Sequence, residues 1–251
     1  MTRPGAGSDL AKKAAMDEAD VVVAVGGDGT VNEVANGILS SERSLRLAVV
    51  PAGSGSDFAR TFSLGTNPET VTALIDNGQT RPIDAVSVNG RWFVNAGEVG
   101  LGAAVVKRAA AWPKWLGPTV YGLALAVELP RFKATPCRVT VDGVTVETSL
   151  HNVVIANCRY LGGGMHISPK SLPGDGLLEV LIFAGPKTDA ITLVPKIYRG
   201  RHLPHADVVE MQGARVTVQA DWPLPVEGDG EPMGATPAEF VVSPGALRLI
   251  C

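Results

Sequence analysis

The sequence contains few cysteines, few aromatic residues and little net charge. Of its 251 residues, three are cysteines (Cys137, Cys158 and Cys251), 5% are aromatic, and the formal net charge is -3 at pH 7. Three scattered cysteines make neither a complete disulfide framework nor a metal-binding cluster, so a reducing, cytoplasmic location is predicted. The small negative charge provides no general attraction to nucleic acid, and no nucleic-acid partner is expected.

Long hydrophobic runs are also missing. The longest nearly apolar stretch, "VYGLALAVEL" at residues 120–129, is far shorter than the roughly 20 residues that a helix needs to cross a bilayer. From the pattern of its first residues, no signal peptide is expected. The sequence therefore predicts no transmembrane segment, while leaving peripheral contact with a membrane open. Oligomeric state cannot be read from it, and the length fits one large domain or two modest ones.

Strands and helices alternate in the first 81 residues. The run "VVVAV" at residues 21–25 is β-branched and continuous, which is typical of a strand buried on both faces of a parallel sheet. Thr30 and Glu33 then match a capping box, which predicts the start of a helix. "LRLAVV", "DFARTF" and "NPETVTALIDNG" continue as a strand, a short helix and a capped helix. This alternation predicts a parallel α/β layer.

After Arg81 the pattern changes to short alternating strands. Asn89-Gly90 and Asp142-Gly143 each lie between two such strands, which predicts two hairpins. Helices are predicted near residues 100–111 and 118–129, between the strands. The predicted fold class is therefore α/β plus β, with a parallel α/β nucleotide-binding domain at residues 1–81 and an antiparallel β-sandwich domain at residues 82–251.

Two glycine-rich turns follow the first two strands: "GGDGT" at residues 26–30 and "GSGSD" at residues 53–57. A strand that enters a glycine turn at a helix start exposes backbone N–H groups, which can bind phosphate. Asp28 and Asp57 would repel phosphate unless a cation lay between, and Mg²⁺ is the cation that carboxylates and phosphates commonly share. The alternatives are that Asp57 is only a helix N-cap and that Asp28 is only a turn residue.

Five segments in this order resemble the diacylglycerol kinase catalytic family, in particular the bacterial soluble lipid kinases of diacylglycerol-kinase and sphingosine-kinase type. They are "GGDGTVNEVANGI", "PAGSGSDFAR", "NAGEVGLGAAV", "SLPGDGLLEV" and "EGDGEP". The similarity runs from about residue 8 to the C-terminus. The first turn alone is shared with NAD kinases and phosphofructokinases, whereas the second turn and the late Asp-Gly-Glu-Pro point to lipid kinases.

The resemblance implies that ATP binds in the cleft between the two domains and that a lipid hydroxyl, most often that of diacylglycerol, accepts the phosphate. It implies that Asp28 and Asp57 organise Mg²⁺, and that Glu231 takes the hydroxyl proton, with Asp28 as a competing candidate for this role. Asp175, with the carbonyls of Leu172 and Leu177, is implied to hold a structural Mg²⁺. The candidate nucleotide-site residues are Gly26, Gly27, Asp28, Gly29, Thr30, Asn32, Glu33, Gly53, Ser54 and Asp57.

Two other functions stay open at this stage, an NAD kinase-like phosphotransferase and a non-catalytic protein that binds nucleotide or lipid. The second arises because the family's first strand, with its Asn-Pro, is expected before the helix, and only seven residues precede "SDLAKK". The N-terminal domain is therefore predicted to be incomplete, with an exposed edge strand.

Residues 107–138 combine cations with aromatic and apolar residues, which is the composition of an interfacial membrane contact. The hypothesis is that this segment docks on anionic lipid, and the alternative is a helix that buries its tryptophans. The residues concerned are Lys107, Arg108, Lys114, Arg131, Lys133, Arg138, Trp112, Trp115, Leu116, Tyr121 and Leu123.

Overall fold

A computed structural model describes residues 3, 5–41, 43–53, 55–113, 117 and 119–251, apart from the side chain of residue 191. The helices are α1 (Ala6–Met16), α2 (Asp28–Leu39), α3 (Asp57–Phe62), α4 (Pro68–Asn77), α5 (Leu101–Ala110), α6 (Thr119–Arg131) and α7 (Asp189–Ile197). The strands are β1 (Val21–Gly26), β2 (Arg46–Pro51), β3 (Thr80–Val88), β4 (Arg91–Phe93), β5 (Ala96–Gly100), β6 (Thr135–Val141), β7 (Val144–Leu150), β8 (Asn152–Ala156), β9 (Leu178–Phe183), β10 (Val208–Gly213), β11 (Arg215–Ala220), β12 (Pro225–Gly228), β13 (Glu231–Ala235) and β14 (Ala238–Ile250).

Strands β1 and β2 are parallel neighbours, as predicted, and Gly26 at the end of β1 lies opposite Pro51 at the end of β2. The prediction that β1 is buried on both faces is wrong. Ala24 packs against α1 and α2, whereas Val23 and Val25 on the other face are 43% and 60% exposed. The reason is that β1 is an edge strand of its sheet within the described chain, and α4 packs mainly over β2.

The last strand of the chain returns to the first sheet. β14 is parallel to β2 and antiparallel to β3 and β11, in an eight-stranded sheet that contains the path β1-β2-β14-β11-β6-β7. The predicted boundary near residues 80–82 falls at the start of β3. The predicted division into residues 1–81 and 82–251 stays a prediction, and one sheet runs through both parts.

The second sheet has six strands in the order β10-β9-β8-β5-β12-β13, and all its pairs are antiparallel. Alternate residues of the two sheets meet in a common core, where the rings of Phe93 and Phe240 pack edge to face at 6.2 Å between centroids. This is the sandwich that the alternating strands predicted.

Local signals in the second half also predicted structure correctly. Asn89-Gly90 joins β3 to β4 and Asp142-Gly143 joins β6 to β7, and all four residues have positive φ, as a tight hairpin turn of this kind requires. Helices α5 and α6 occur where the two helical segments were predicted. Within the described part of the chain, no helix combines the length and the hydropathy needed to cross a bilayer.

Candidate active site

The two glycine turns lie at the same sheet edge, and their backbones touch. A Cβ on Gly53 would lie 2.9 Å from the nitrogen of Gly27, and a Cβ on Gly27 would lie 3.2 Å from the Cα of Gly53. Neither position has room for a side chain. These two glycines therefore allow the two turns to approach each other closely. The N-terminus of α2 follows directly after Gly27, next to this contact.

Substituting Gly53 by alanine should force the two turns apart and destabilise the protein by about 1–3 kcal/mol, the usual cost of overpacking. Chemical denaturation would measure the loss. Gly29 is the matched control because it lies on the other of the two turns and a Cβ there meets no atom within 4 Å. Gly29→Ala should leave the free energy of unfolding unchanged or raise it slightly, and equal losses in the two variants would contradict this account.

Helix α2 begins at Asp28, so Thr30 lies inside the helix rather than at its N-cap, and the predicted capping box at Thr30 and Glu33 is wrong. The N-cap is Gly27, which has no side chain, and the N–H of Thr30 already donates to the carbonyl of Gly27. Glu33 instead accepts hydrogen bonds from the N–H groups of Gly5 and Gly7, both at 2.8 Å, at the start of α1. The free N–H groups at the start of α1 attract the Glu33 carboxylate.

Asp28 uses its carboxylate to join the two turns. Its oxygens accept the N–H groups of Asp57 at 3.0 Å and Phe58 at 2.9 Å, at the first turn of α3. Asn95, which precedes β5, points its amide nitrogen at the same carboxylate from 3.5 Å. Asp28 therefore connects α2, α3 and the sandwich. Ser54, also a candidate residue of this site, lies outside the described residues.

Asp57 is buried and does not cap its own helix, because Ser56 is the N-cap of α3. The Asp57 carboxylate accepts the N–H of Gly163 at 2.7 Å and a guanidinium N–H of Arg60 at 2.8 Å. Burial raises the pKa of Asp57, the Gly163 N–H opposes this, and the nearby charge of Asp28 raises it further. Two carboxylates thus lie close enough to repel each other beside the glycine turns.

The residues of a third glycine loop, Gly162, Gly163 and Gly164, were missed by the sequence reasoning. All three have positive φ, which favours glycine. A Cβ on Gly55 would lie 3.6 Å from the Cα of Gly163, so this loop contacts the second turn. The run of three consecutive glycines was the available signal. This run of glycines indicates a part of the site only when the fold is known, because the fold places it against the second turn.

Asp229 links helix α2 to the turn that carries Glu231. Its carboxylate accepts four hydrogen bonds, from the side-chain amide of Asn32 and from the N–H groups of Val94, Asn95 and Ala96, at 2.8–3.2 Å. Burial raises the pKa of Asp229 to about 6, although these donors favour the ionised form. Asn32 lies one helical turn after Asp28, so a single carboxylate connects α2 to the β12–β13 turn.

Glu231 is exposed at the first position of β13, directly after that turn. Asp229 has φ 51°, so Asp229 and Glu231 do not lie on one continuous strand and do not face the same side by strand alternation. The pKa of the Tyr121 hydroxyl on α6 is raised by burial and then by the charges of Glu227 and Glu231. Tyr121 is therefore within the electrostatic range of Glu231.

A pair of glutamates beside this turn was also missed. Glu98 of β5 and Glu227 of β12 are direct cross-strand partners, and Glu227 accepts the N–H of Gly230 at 2.8 Å. Asn152 donates to Glu98 at 2.6 Å. Burial raises the pKa of both carboxyls, and the charge of Glu98 raises that of Glu227 further. A glutamate within a short apolar strand was the signal in each case.

Replacing Glu98 by glutamine should stabilise the protein above neutral pH by more than about 1 kcal/mol. The folded pKa values of this pair lie above the ordinary 4.5, so stability is lost as the pH rises through them, and a neutral partner removes part of that loss. Glutamine keeps the acceptor for Asn152. The difference should vanish near pH 4, as measured by thermal unfolding. Glu239→Gln, at an exposed ion pair, is the control, and an equal gain there would contradict the explanation.

The predicted structural metal loop is a compact turn. The N–H of Asp175 donates to the carbonyl of Leu172 at 3.2 Å, and the N–H of Leu177 donates to the Asp175 carboxylate at 3.0 Å. The buried Asp84, which the sequence reasoning missed, accepts the N–H groups of Gly176 and Gly245 and fixes this loop against β14. The loop thus presents a carboxylate together with neighbouring carbonyls.

Comparison with known proteins agrees with this architecture. The family model of the diacylglycerol kinase catalytic domain matches residues 1–88, and that of the YegS C-terminal NAD kinase beta sandwich-like domain matches residues 95–251. A crystal structure of a diacylglycerol kinase from Bacillus anthracis superposes with a TM-score of 0.77 at 23% identity, covering 100% of this chain and 82% of that one. This match shows the fold.

Similar protein sequences identify the family. A diacylglycerol kinase of Bacillus subtilis is 31% identical over 96% of this chain and 80% of its own length. A diacylglycerol kinase of Mycobacterium tuberculosis is 31% identical over 92% of this chain and 76% of its own length. A "Probable lipid kinase YegS-like" of Pseudomonas aeruginosa is 33% identical over 91% and 75%. The chain belongs to the diacylglycerol kinase family and is a lipid kinase.

Proposed function

We propose that this lipid kinase transfers the γ-phosphate of ATP to the hydroxyl of diacylglycerol, with Mg²⁺ at the phosphates and Glu231 as the proton acceptor. The observation that carries the proposal is the hydrogen-bond network of Asp229. It ties α2, whose N-terminus faces the glycine turns, to the turn that carries Glu231. Phosphoryl transfer depends mainly on positioning and charge neutralisation, and this network serves positioning.

The glycine turns suit a triphosphate. The N-terminus of α2 has no side-chain cap, and its N–H groups and helix dipole favour an anion. Gly29 adds no side chain that would block approach to this end. The glycine loop at residues 162–164 borders the second turn from the sandwich side, which is consistent with a nucleotide held between the two parts of the chain.

The carboxylates of Asp28 and Asp57 fit a magnesium ion in charge and chemistry. Their oxygens accept protein N–H groups and keep further lone pairs. A cation would relieve the repulsion between the two carboxylates, which raises the pKa of Asp57. When bound, Mg²⁺ supplies neutralisation of phosphate charge. The Asp175 carboxylate and the carbonyls of Leu172 and Leu177 are likewise oxygen ligands suited to a second, structural Mg²⁺.

In the proposed reaction, the lipid oxygen forms a bond to the γ-phosphorus while the bond from that phosphorus to the bridging oxygen of ATP breaks, leaving ADP. The hydroxyl proton passes to the Glu231 carboxylate. Glu231 is exposed and adjacent to a hydrogen-bonded turn, which suits a group that must contact an incoming alcohol. Asp28 is less suited to this role because both of its oxygens accept N–H groups of α3.

The experiment is an assay with radiolabelled ATP and a panel of acceptors: diacylglycerol, phosphatidylglycerol, a sphingoid base and NAD. We expect magnesium-dependent labelling of diacylglycerol above the other acceptors. Labelling of NAD would support the NAD kinase-like alternative, and labelling of another lipid would correct the substrate. If calorimetry detects no magnesium-dependent ATP binding, or if Asp28→Ala leaves turnover unchanged, the proposal is overturned.

A further inference from the structure

Helix α6 is almost entirely apolar and yet poorly buried. Ala124 is its buried residue and packs with Val105 and Ala109 of α5, whereas Tyr121 and Leu123 are 48% and 49% exposed. Leu123, Ala126 and Pro130 are all exposed, and their spacing of three and four places them on one face. A contiguous apolar helix face on the surface usually marks a contact with a partner or a membrane.

Cations converge at the C-terminal end of this helix. Arg131 and Lys133 are exposed there, and Lys187, from the loop before α7, donates to the carbonyl of Pro130 at 3.0 Å. Two other cations of the sequence hypothesis are ion-paired, since Arg108 contacts Glu128 and Arg138 contacts Glu147. Lys114, Trp115 and Leu116 lie outside the described residues.

An exposed tryptophan lies near the same end. Trp222 in the β11–β12 loop is 72% exposed, and the preceding Asp221 donates its N–H to the carbonyl of Pro136 at 3.2 Å. Pro136 follows Lys133 by three residues, so the loop of Trp222 contacts the segment that leaves α6. Asp221 opposes Arg131 and Lys133 here, and Asp189 and Asp207 lie beside the loop that carries Lys187. The excess of positive charge at this end therefore comes from Arg131 and Lys133. The hypothesis drawn from sequence did not include Trp222 or Lys187.

We propose that a surface formed by Leu123, Ala126, Pro130, Arg131, Lys133 and Trp222, here named the α6 surface, rests on an anionic lipid bilayer. An apolar helix face with flanking cations binds in the membrane interface, and tryptophan prefers the headgroup level. Cations near the membrane are attracted by its negative surface potential. The inference rests on the proposed function, because a lipid substrate requires such a surface.

The α6 surface is connected to the reaction site by the helix itself. Tyr121, two residues before Leu123, is close enough to Glu227 and Glu231 for their charges to act on its hydroxyl. A helix of 13 residues is about 20 Å long. The first turn of the helix therefore lies on the side of the proposed proton acceptor, and its last turn lies at the cationic end.

Vesicle sedimentation tests the surface directly. The parent protein should bind vesicles that contain anionic phosphatidylglycerol more tightly than vesicles of neutral phosphatidylcholine. The double variant Arg131→Glu with Lys133→Glu should weaken binding to the anionic vesicles by at least about tenfold, as should Trp222→Ser. Lys12→Glu with Lys13→Glu, on the exposed side of α1, and Leu10→Ser are the matched controls. Parent-like binding by the α6-surface variants, or equal binding to both vesicle types, would overturn the proposal.

A second assay separates this proposal from the proposed function. A short-chain diacylglycerol dissolved below its micelle concentration reaches Glu231 without a membrane. The α6-surface variants should phosphorylate it at the parent rate and lose activity only on vesicles. Loss on both substrates would overturn the docking role. If the parent phosphorylates neither substrate, the proposed function fails, whereas the sedimentation result still decides whether the surface binds anionic lipid.

Discussion

Glu231→Gln should lower kcat by about 10²–10⁴-fold, the usual contribution of a positioned general base. Glutamine keeps the size of the side chain but cannot accept the hydroxyl proton. Nucleotide affinity should stay at the parent value, because the glycine turns and Asp28 belong to other elements. Steady-state kinetics with diacylglycerol, together with calorimetric titration of ATP, would measure both quantities.

The control for this variant is Glu239→Gln, which neutralises an exposed glutamate of β14 that pairs with Arg215. It should retain parent kinetics. If Glu231→Gln loses less than about threefold in kcat while Asp28→Asn abolishes turnover with ATP still bound, Asp28 is the proton acceptor instead. If Glu231→Gln loses ATP binding as well, Glu231 has a structural role and the assignment fails.

The juxtaposition of the two glycine turns could be predicted from sequence because it depends on local rules. Each turn follows a strand, the strands are parallel neighbours, and parallel strands end at one edge. The hairpins at Asn89-Gly90 and Asp142-Gly143 were predictable for the same reason, since two residues alone specify the turn. The site roles of these turns remain proposals.

Local rules failed where a distant element supplied the partner. Thr30 and Glu33 match a capping box in spacing, but Glu33 meets the N-terminus of α1, more than 20 residues earlier in the chain. The run at residues 21–25 matches a strand buried on both faces, but burial depends on which elements cover it. A sequence window contains neither kind of information.

The glutamate pair and the Asp229 network show the same limit more strongly. Glu98 and Glu227 are 129 positions apart, and only the register of β5 against β12 makes them neighbours. Asp229 is two residues from Glu231 in the sequence, whereas its hydrogen-bond partners are Asn32 and the N–H groups that follow β4. Such contacts arise because the last part of the chain folds back onto the first.

Asp229→Asn should lower kcat by about 10²-fold at pH 8, with a smaller effect on stability. An amide has only one acceptor oxygen. In the variant, the NH₂ group of the new side chain would face N–H groups that donate to the carboxylate in the parent. The turn before Glu231 would therefore shift relative to α2. In the parent, kcat should fall as the pH falls through about 6, where Asp229 takes up a proton. The variant should lack this step in its pH–rate profile.

The stability of the parent should have the opposite pH dependence from its activity. Because the pKa of Asp229 is raised from 3.8 to about 6, the folded protein binds more protons than the unfolded chain between these values. The free energy of unfolding therefore falls as the pH rises through this window, by about 3 kcal/mol from this group. Asp229→Asn should remove that decrease.

Asp142 provides a matched control, because it is also an aspartate with positive φ before a glycine and accepts two backbone N–H groups, of Ala214 and Arg215. Asp142→Asn should lose some stability and keep the parent kcat and pH–rate profile, since its hairpin joins β6 to β7 and carries none of the proposed site residues. If both variants lose activity in proportion to stability, Asp229 is only a structural residue. A selective loss of kcat in Asp229→Asn, with ATP affinity retained, requires that Asp229 hold α2 and the proposed proton acceptor Glu231 in register.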